Sequence, residues 1–262
     1  MRPILAERGT AAALVGCAGW ALPREAAARF PADGSHLERY AARLNAVEIN
    51  SSFYKPHRAA TYARWAASVP ADFRFAVKLP RAITHHARLV DADELIKAFA
   101  GQAGALEGKL GCVLVQLPPS LAFDALVAGA FFDALQARFA CMLAVEARQA
   151  GWFGAAATAL LRERSITRVQ ADPPAGQPGP FEATAANRYL RLHGNPKVYY
   201  SSYDQAYIDG VAAELADKRA ERPDSGPDWC IFDNTAAGCA TPNALALTEA
   251  LARPGTATQC NK

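Results

Sequence analysis

Residues 109–120 read KLGCVLVQLPPS, and the run Cys112-Val113-Leu114-Val115 is apolar at successive positions before Gln116 ends it. A strand with one wet face alternates apolar and polar residues. A strand apolar at every position is covered on both faces, as in a parallel sheet flanked by helices. Working outward from this stretch, similar short runs recur along the chain. They predict strands at Leu14–Trp20, Val47–Tyr54, Phe73–Leu79, Cys112–Leu117, Met142–Arg148, Ile166–Asp172, Tyr189–Gly194 and Trp229–Asn234.

Between these runs lie segments of helical period. Leu95, Phe99, Ala103 and Leu106 form one apolar stripe, and Val127, Phe131 and Leu135 form another, as do Tyr207, Val211 and Leu215. Asp91 with Glu94 resembles a capping signal for the first of them. Further helices are expected over Leu37–Leu44, Ala59–Ser68, Trp152–Glu163 and Ala240–Leu251. Eight strands alternating with helices predict a single (β/α)₈ barrel of the TIM type over residues 11–253. Residues 1–10 and 254–262 are expected to be flexible ends. After Asp172 comes PPAGQPGP, whose four prolines and two glycines forbid a regular helix, so a loop should replace most of the sixth helix. An open doubly wound sheet is the alternative, and the lack of a Gly-rich nucleotide fingerprint in the sequence disfavours it.

The bulk properties narrow the function classes. With 262 residues, 51% hydrophobic, the chain can bury a large core without metal or disulfide staples. The net charge of +3 is no nucleic-acid footprint, and no apolar stretch reaches membrane-spanning length. Six cysteines without a C-x-x-C pair read as free thiols in a reducing compartment, hence a cytoplasmic protein.

In a (β/α)₈ barrel the working side chains sit at the C-terminal ends of strands. The second strand offers Glu48, Asn50, Ser51 and Tyr54, and the third ends in Lys78 with His85 beyond it. Gln116 closes the fourth, Glu146 and Arg148 the fifth, and Asp172 the sixth. Arg191 and His193 come from the seventh, and Asp233 and Asn234 from the eighth. Side chains two apart share a face, so Glu48–Asn50, Glu146–Arg148 and Arg191–His193 should point together into the barrel. Any single Glu–Arg pair of this kind is more often a structural ion pair. The whole set argues for a polar pocket.

The stretches GCAGW (16–20), VEINSSFY (47–54), FRFAVKLP (73–80) with ITH (83–85), and KLGCVLVQLPPS (109–120) resemble the YecE-like proteins, the family called domain of unknown function 72. VEAR (145–148), YLRLHG (189–194) and FDNTAAGCATPNAL (232–245) complete the resemblance, which spans nearly the whole chain. It implies a TIM-barrel-like fold and no particular reaction. The chain departs from the family pattern at Gln149 and Cys239, where relatives often carry His.

The residues suffice for general acid–base chemistry on a small anionic, polar or sugar-like substrate. Glu48, Glu146 or Asp172 would be the base, His85 or His193 would return the proton, and Lys78 would bind an anionic group of the substrate or instead form a Schiff base. Arg148 and Arg191 would hold a phosphate or carboxylate. Asn50, Ser51, Gln116, Asp233 and Asn234 would fix hydroxyls, with Trp20, Tyr54 and Tyr200 at the rim. A second mechanism places a divalent metal among Glu48, Glu146, Asp172 and His193, and the neighbouring cations disfavour it. The third reading is a binding protein without turnover, holding a ligand or nucleic-acid fragment. No nucleotide-cofactor motif is present, and the sequence leaves the oligomeric state open.

Overall fold

The structure is a computed structural model that describes residues 13–222 and 225–253. The expected flexible ends, residues 1–10 and 254–262, lie outside the described residues. The strands in chain order are β1 (Ala13–Cys17), β2 (Ala46–Ile49), β3 (Arg74–Lys78), β4 (Leu110–Gln116) and β5 (Met142–Glu146). They continue with β6 (Thr167–Arg168), β7 (Gln170–Asp172), β8 (Tyr189–Leu192) and β9 (Asp228–Phe232). The helices are α1 (His36–Ala41), α2 (Ala59–Ala67), α3 (Asp93–Ala103), α4 (Ala125–Gln136), α5 (Ala155–Glu163), α6 (Gln205–Glu221) and α7 (Ala240–Leu251).

The fold is α/β, with every ladder parallel. The strands fall into a five-stranded sheet in the order β2-β3-β4-β5-β6 and a four-stranded sheet in the order β1-β9-β8-β7. The expected single ring of eight strands is therefore corrected to two sheets whose ladders do not close. At one seam the expected strand Ile166–Asp172 breaks around Val169: β6 pairs with β5, and β7 pairs with β8. At the other, β1 and β2 share only an isolated bridge between Ala18 and Glu48.

The second seam has a local cause, because side chains take the place of the ladder. Asn45 accepts from the Val15 amide at 2.8 Å and donates to the Ala13 carbonyl at 3.0 Å. The Tyr40 hydroxyl accepts from the Cys17 amide at 2.8 Å and donates to the Ala46 carbonyl at 3.0 Å. Gly16 lies between them, and a Cβ there would stand 2.1 Å from the Ala46 oxygen. Only glycine lets the two backbones come this close.

The caps come from residues other than the expected one. Ser35 and Glu38 form a capping box on α1, while Asp124 and Asp204 cap α4 and α6. Helix α3 starts behind Ala92 with no side-chain cap, and Asp91 sits at a φ of 48°, turned away from a capping geometry. Between β7 and β8 no helix forms, as the proline-rich stretch required.

Alternation along the strands sorts the apolar residues into two clusters. Val47, Phe75, Val77, Val113, Val115, Val145 and Leu192 face the helices in the larger one. Leu14, Ala46, Ala76, Cys112, Leu114, Ala144, Val169, Tyr189, Trp229 and Ile231 make a second cluster on the opposite face of the strands, enclosed between the two sheets. There the Tyr189 and Trp229 rings stack with centroids 5.7 Å apart.

Candidate functional site

Two residues beyond this enclosed apolar cluster, toward the C-terminal ends of the strands, the inward positions turn polar. Glu48 follows Ala46, Lys78 follows Ala76, Gln116 follows Leu114 and Glu146 follows Ala144. Arg191 follows Tyr189, and Asp233 follows Ile231. All six are buried.

Arg191 is the hub. Its side chain is fully enclosed, and three carboxylates surround it. Nε donates to Glu48 Oε2 at 3.0 Å and Nη2 donates to Glu48 Oε1 at 2.6 Å. Nη2 also donates to Asp233 Oδ2 at 3.0 Å, and Nη1 donates to Glu146 Oε2. The Tyr189 hydroxyl adds a bond to Glu48 Oε2 at 2.9 Å. Arg148 reaches Glu146 Oε1 from the mouth with Nε at 3.1 Å and Nη2 at 2.8 Å. Buried charges persist only when paired this fully.

His193 completes the hub from above. Its Nδ1 lies 3.0 Å from Asp233 Oδ2. Its Nε2 lies 3.2 Å from Glu146 Oε1 but without hydrogen-bonding alignment, so this buried nitrogen has no aligned partner among the described residues. The Tyr199 ring meets the imidazole edge-on at 5.8 Å, from a backbone held at a φ of 69°. Burial works against the imidazolium, yet Asp233 and Glu146 more than offset it, and the His193 pKa rises above its ordinary value. Burial also opposes ionisation of Glu146 and Asp233, but Arg191 foremost holds both carboxyls below the usual range, Glu146 well below.

Lys78 differs from its neighbours. Nζ has no hydrogen bond or ion pair among the described residues; it rests over the Phe53 ring, 4.2 Å from the centroid. Burial, reinforced by the charge of Arg191, outweighs the attraction of Glu48, Glu146 and Asp233 and brings the ammonium down to about 8. Gln116 likewise makes no side-chain hydrogen bond among the described residues, and its amide keeps solvent contact, as does Lys78 Nζ.

The remaining expected residues scatter. Asp172 shares a strand face with Gln170, next to Leu190 and Leu192, and accepts from the Tyr203 hydroxyl at 2.7 Å on the side of α6. It does not join Glu48 and Glu146. Asn234 is buried and donates to the Ser201 carbonyl and to Asn243, each at 2.9 Å, tying the loop after β8 to α7. Its Oδ1, like that of Asn50, is enclosed without a partner among the described residues. Ser51 bonds His57 at 2.8 Å, and Trp20 packs edge-on against Trp65 at 5.0 Å. His85 bonds Thr84 at 2.8 Å and lies edge-on to Phe53 at 4.9 Å. Burial, then Lys78, Arg81, His86 and Arg148, push its pKa down. Tyr54 is 72% exposed, and Tyr200 is exposed beneath Lys197 Nζ. Cys239 donates to the Tyr200 carbonyl at 3.3 Å, and Gln149 caps the turn that follows it.

Tyr189 was not among the expected site residues, and Phe53 reads from the sequence as a packing residue. Tyr189 was legible, standing two residues before Arg191 on the same face; Phe53 reaches Lys78 only through the turn after β2. The metal alternative fits poorly. Arg191 fills the space among the carboxylates, and among the described residues no group of three or more His, Cys, Asp or Glu is disposed to hold an ion.

A cavity of about 1010 Å³ opens at the other end of the strands around Leu14, Arg74, Met142 and Trp229. Polar groups on its wall are already engaged, Asn45 with the backbone of β1 and Arg164 with Asp133. It carries none of the chemistry of the polar layer. No helix among the described residues is long and apolar enough to cross a membrane.

A family model described as "Protein of unknown function DUF72" matches residues 14–261. The UPF0759 protein YecE of Escherichia coli is 35% identical over 82 residues, a match covering 31% of this chain and 30% of that protein. The UPF0759 protein YunF of Bacillus subtilis is 23% identical over 278 residues, covering 90% of this chain and 94% of its own. Among solved structures, DUF72 family proteins from Thermotoga maritima and Enterococcus faecalis both superpose with a TM-score of 0.75. The first is 23% identical, covering 91% of this chain and 99% of its own; the second is 21% identical, covering 92% and 95%. These two superpositions bear on the fold.

Proposed function

The chain belongs to the DUF72 family, and from that premise we propose that it is an enzyme using general acid–base chemistry on a small anionic or sugar-like substrate. The observation that carries this reading is the contrast inside the polar layer. Glu48, Glu146, Asp233 and Arg191 are locked together, while Lys78 and His193 are pushed toward each other in proton affinity, Lys78 down to about 8 and His193 upward. Groups tuned this way can trade protons near neutral pH. Lys78 and Arg148 form the cationic edge that seats a phosphate or carboxylate, and Gln116 offers an amide beside it. Arg191 is enclosed and acts as scaffold.

We read the two sheets as a (β/α)₈-type barrel whose sixth strand is split, a reading supported by the backbone bond from Gly19 to Glu48 at 2.9 Å across one seam and by the chain itself running from β6 into β7 through Val169 at the other. A cytoplasmic setting is supported by Cys17, Cys112, Cys141, Cys230 and Cys239, which are all free thiols.

Thermal-shift titration at pH 7.5 with sugar phosphates, hydroxy acids and neutral sugars tests the reading. Anionic compounds should stabilise the wild type and lose that effect in Lys78→Met and Arg148→Met. Equal shifts in both variants, or none in the wild type, would sink it. A binding protein without turnover is the second reading, favoured by the exposed Tyr54 and the Lys197–Tyr200 pair at the rim. Salt-sensitive retention on single-stranded DNA would select it.

A further inference from the structure

We infer that Lys78 is a covalent nucleophile whose Nζ forms an imine with the carbonyl carbon of an aldehyde or ketone substrate bearing an anionic group. The inference rests on the acid–base reading of the same layer and goes beyond it by naming the bond that forms. Three carboxylates share that layer, and each is taken up by another group: Glu48 by Arg191 and Tyr189, Glu146 by Arg191 and Arg148, Asp233 by Arg191 and His193. A lysine serving as a counter-charge would hold one of them. Lys78 holds none among the described residues and lies instead on the Phe53 ring at 4.2 Å. Its strand end is pinned, because the Ser52 hydroxyl donates to the Lys78 carbonyl at 2.6 Å. The amine thus has a fixed root, an apolar seat and solvent contact at its tip. Burial beside Arg191 favours the neutral, nucleophilic form.

The chemistry balances with solvent as the source and acceptor of protons. The Nζ lone pair forms the N–C bond, and the C=O π pair moves onto oxygen. Nitrogen gives up one proton and oxygen gains two, the second supplied by the solvent that Nζ touches, so that water leaves and an iminium remains. That cation stays among Glu48, Glu146 and Asp233, the carboxylates whose charges already act on Lys78. Water can then take a proton from the carbon next to the iminium, whose π pair moves onto nitrogen as the C–H pair forms the enamine double bond. The substrate class is therefore a small oxo-acid or keto-phosphate, activated at the carbon beside its carbonyl.

The test is reductive trapping on the full chain. The protein is incubated with cyanoborohydride and, separately, pyruvate, glyoxylate, dihydroxyacetone phosphate or acetaldehyde, followed by intact-mass and peptide analysis. The expected result is one adduct per chain on Lys78, of the mass of the carbonyl compound less one oxygen, at least about tenfold faster than at any other lysine. The adduct should vanish in Lys78→Arg and Lys78→Met, with folding of both checked by circular dichroism. Labelling spread over other lysines, or no Lys78 adduct with any probe, overturns the inference. If trapping fails while anionic ligands still stabilise the protein through Lys78, the acid–base reading survives alone. If both fail, both fall.

Discussion

Ala46, Ala76, Leu114, Ala144, Tyr189 and Ile231 come from the same six strand paths as Glu48, Lys78, Gln116, Glu146, Arg191 and Asp233, one alternation apart. The lower storey is filled by alanines, a cysteine, aliphatic side chains and the stacked Tyr189 and Trp229 rings, which close the floor without any charge. The upper storey holds three carboxylates and two cations. Hydrophobic filling of the lower kind would hold the strands as well, since apolar replacement of a buried ion cluster is often neutral or stabilising. The contrast teaches that packing alone does not call for the charges of the upper storey, which is what the proposed acid–base role would explain. Every charge of the hub is paired, which leaves Lys78 the odd member.

Substitutions can break or sharpen this contrast. Arg191→Met should have the largest effect, because it strands three buried carboxylates; a loss of about 3 to 5 kcal/mol is expected in urea denaturation. An unchanged midpoint would mean that the hub is not the scaffold. Lys78→Met should act in the opposite sense. The folded Lys78 loses its proton near 8 while the unfolded chain keeps it to about 10.5. The wild type should therefore gain stability as pH rises across that interval, and at pH 7 the variant should be more stable by about 3 kcal/mol. Denaturation curves from pH 7 to 10.5 check both the sign and the window. Tyr189→Phe removes one bond to Glu48 and leaves the two from Arg191, so about 1 to 2 kcal/mol should be lost. The smallest effect belongs to Asp172→Asn, about 1 kcal/mol or less, with ligand-induced thermal shifts unchanged because Asp172 faces α6. A large loss of ligand response there would move the site.

Much of the polar storey was legible because alternation is a local rule. It placed Glu48, Glu146, Arg191 and His193 on one face, and the structure brings all four together. The same rule misleads where strand-end position is read in place of parity. On the sixth run the inward residues are Val169 and Ala171, opposite Arg191, whereas Arg168 turns toward α5 and bonds Thr158 at 2.8 Å. Asp172 shares the parity of Arg168 and so faces outward with it. Other features depend on partners far apart in the chain. Nothing local says that Arg191 would be sealed in by Glu48, 143 residues away, or that Lys78 would be left without a carboxylate. The break at Val169 and the side-chain bonding of β1 to β2 likewise belong to tertiary packing, although Gly16 and Asn45 stood in the sequence as quiet signs of close approach.

The Tyr40 hydroxyl has a wider consequence. It is one oxygen shared by two strands that make no ladder of their own, accepting from Cys17 and donating to Ala46. At this edge the two sheets are joined by that oxygen, by the Asn45 amide and by the backbone bond from Gly19 to Glu48. Removing that oxygen would leave the helices and both sheets in place while loosening their coupling. The four-stranded half, which carries Arg191, could then open to deuterium exchange out of step with the five-stranded half, which carries Glu48, Lys78 and Glu146. Because the polar storey is assembled across this boundary, a hinge line that looks purely architectural also sets how firmly the two halves of the charge cluster are held in register.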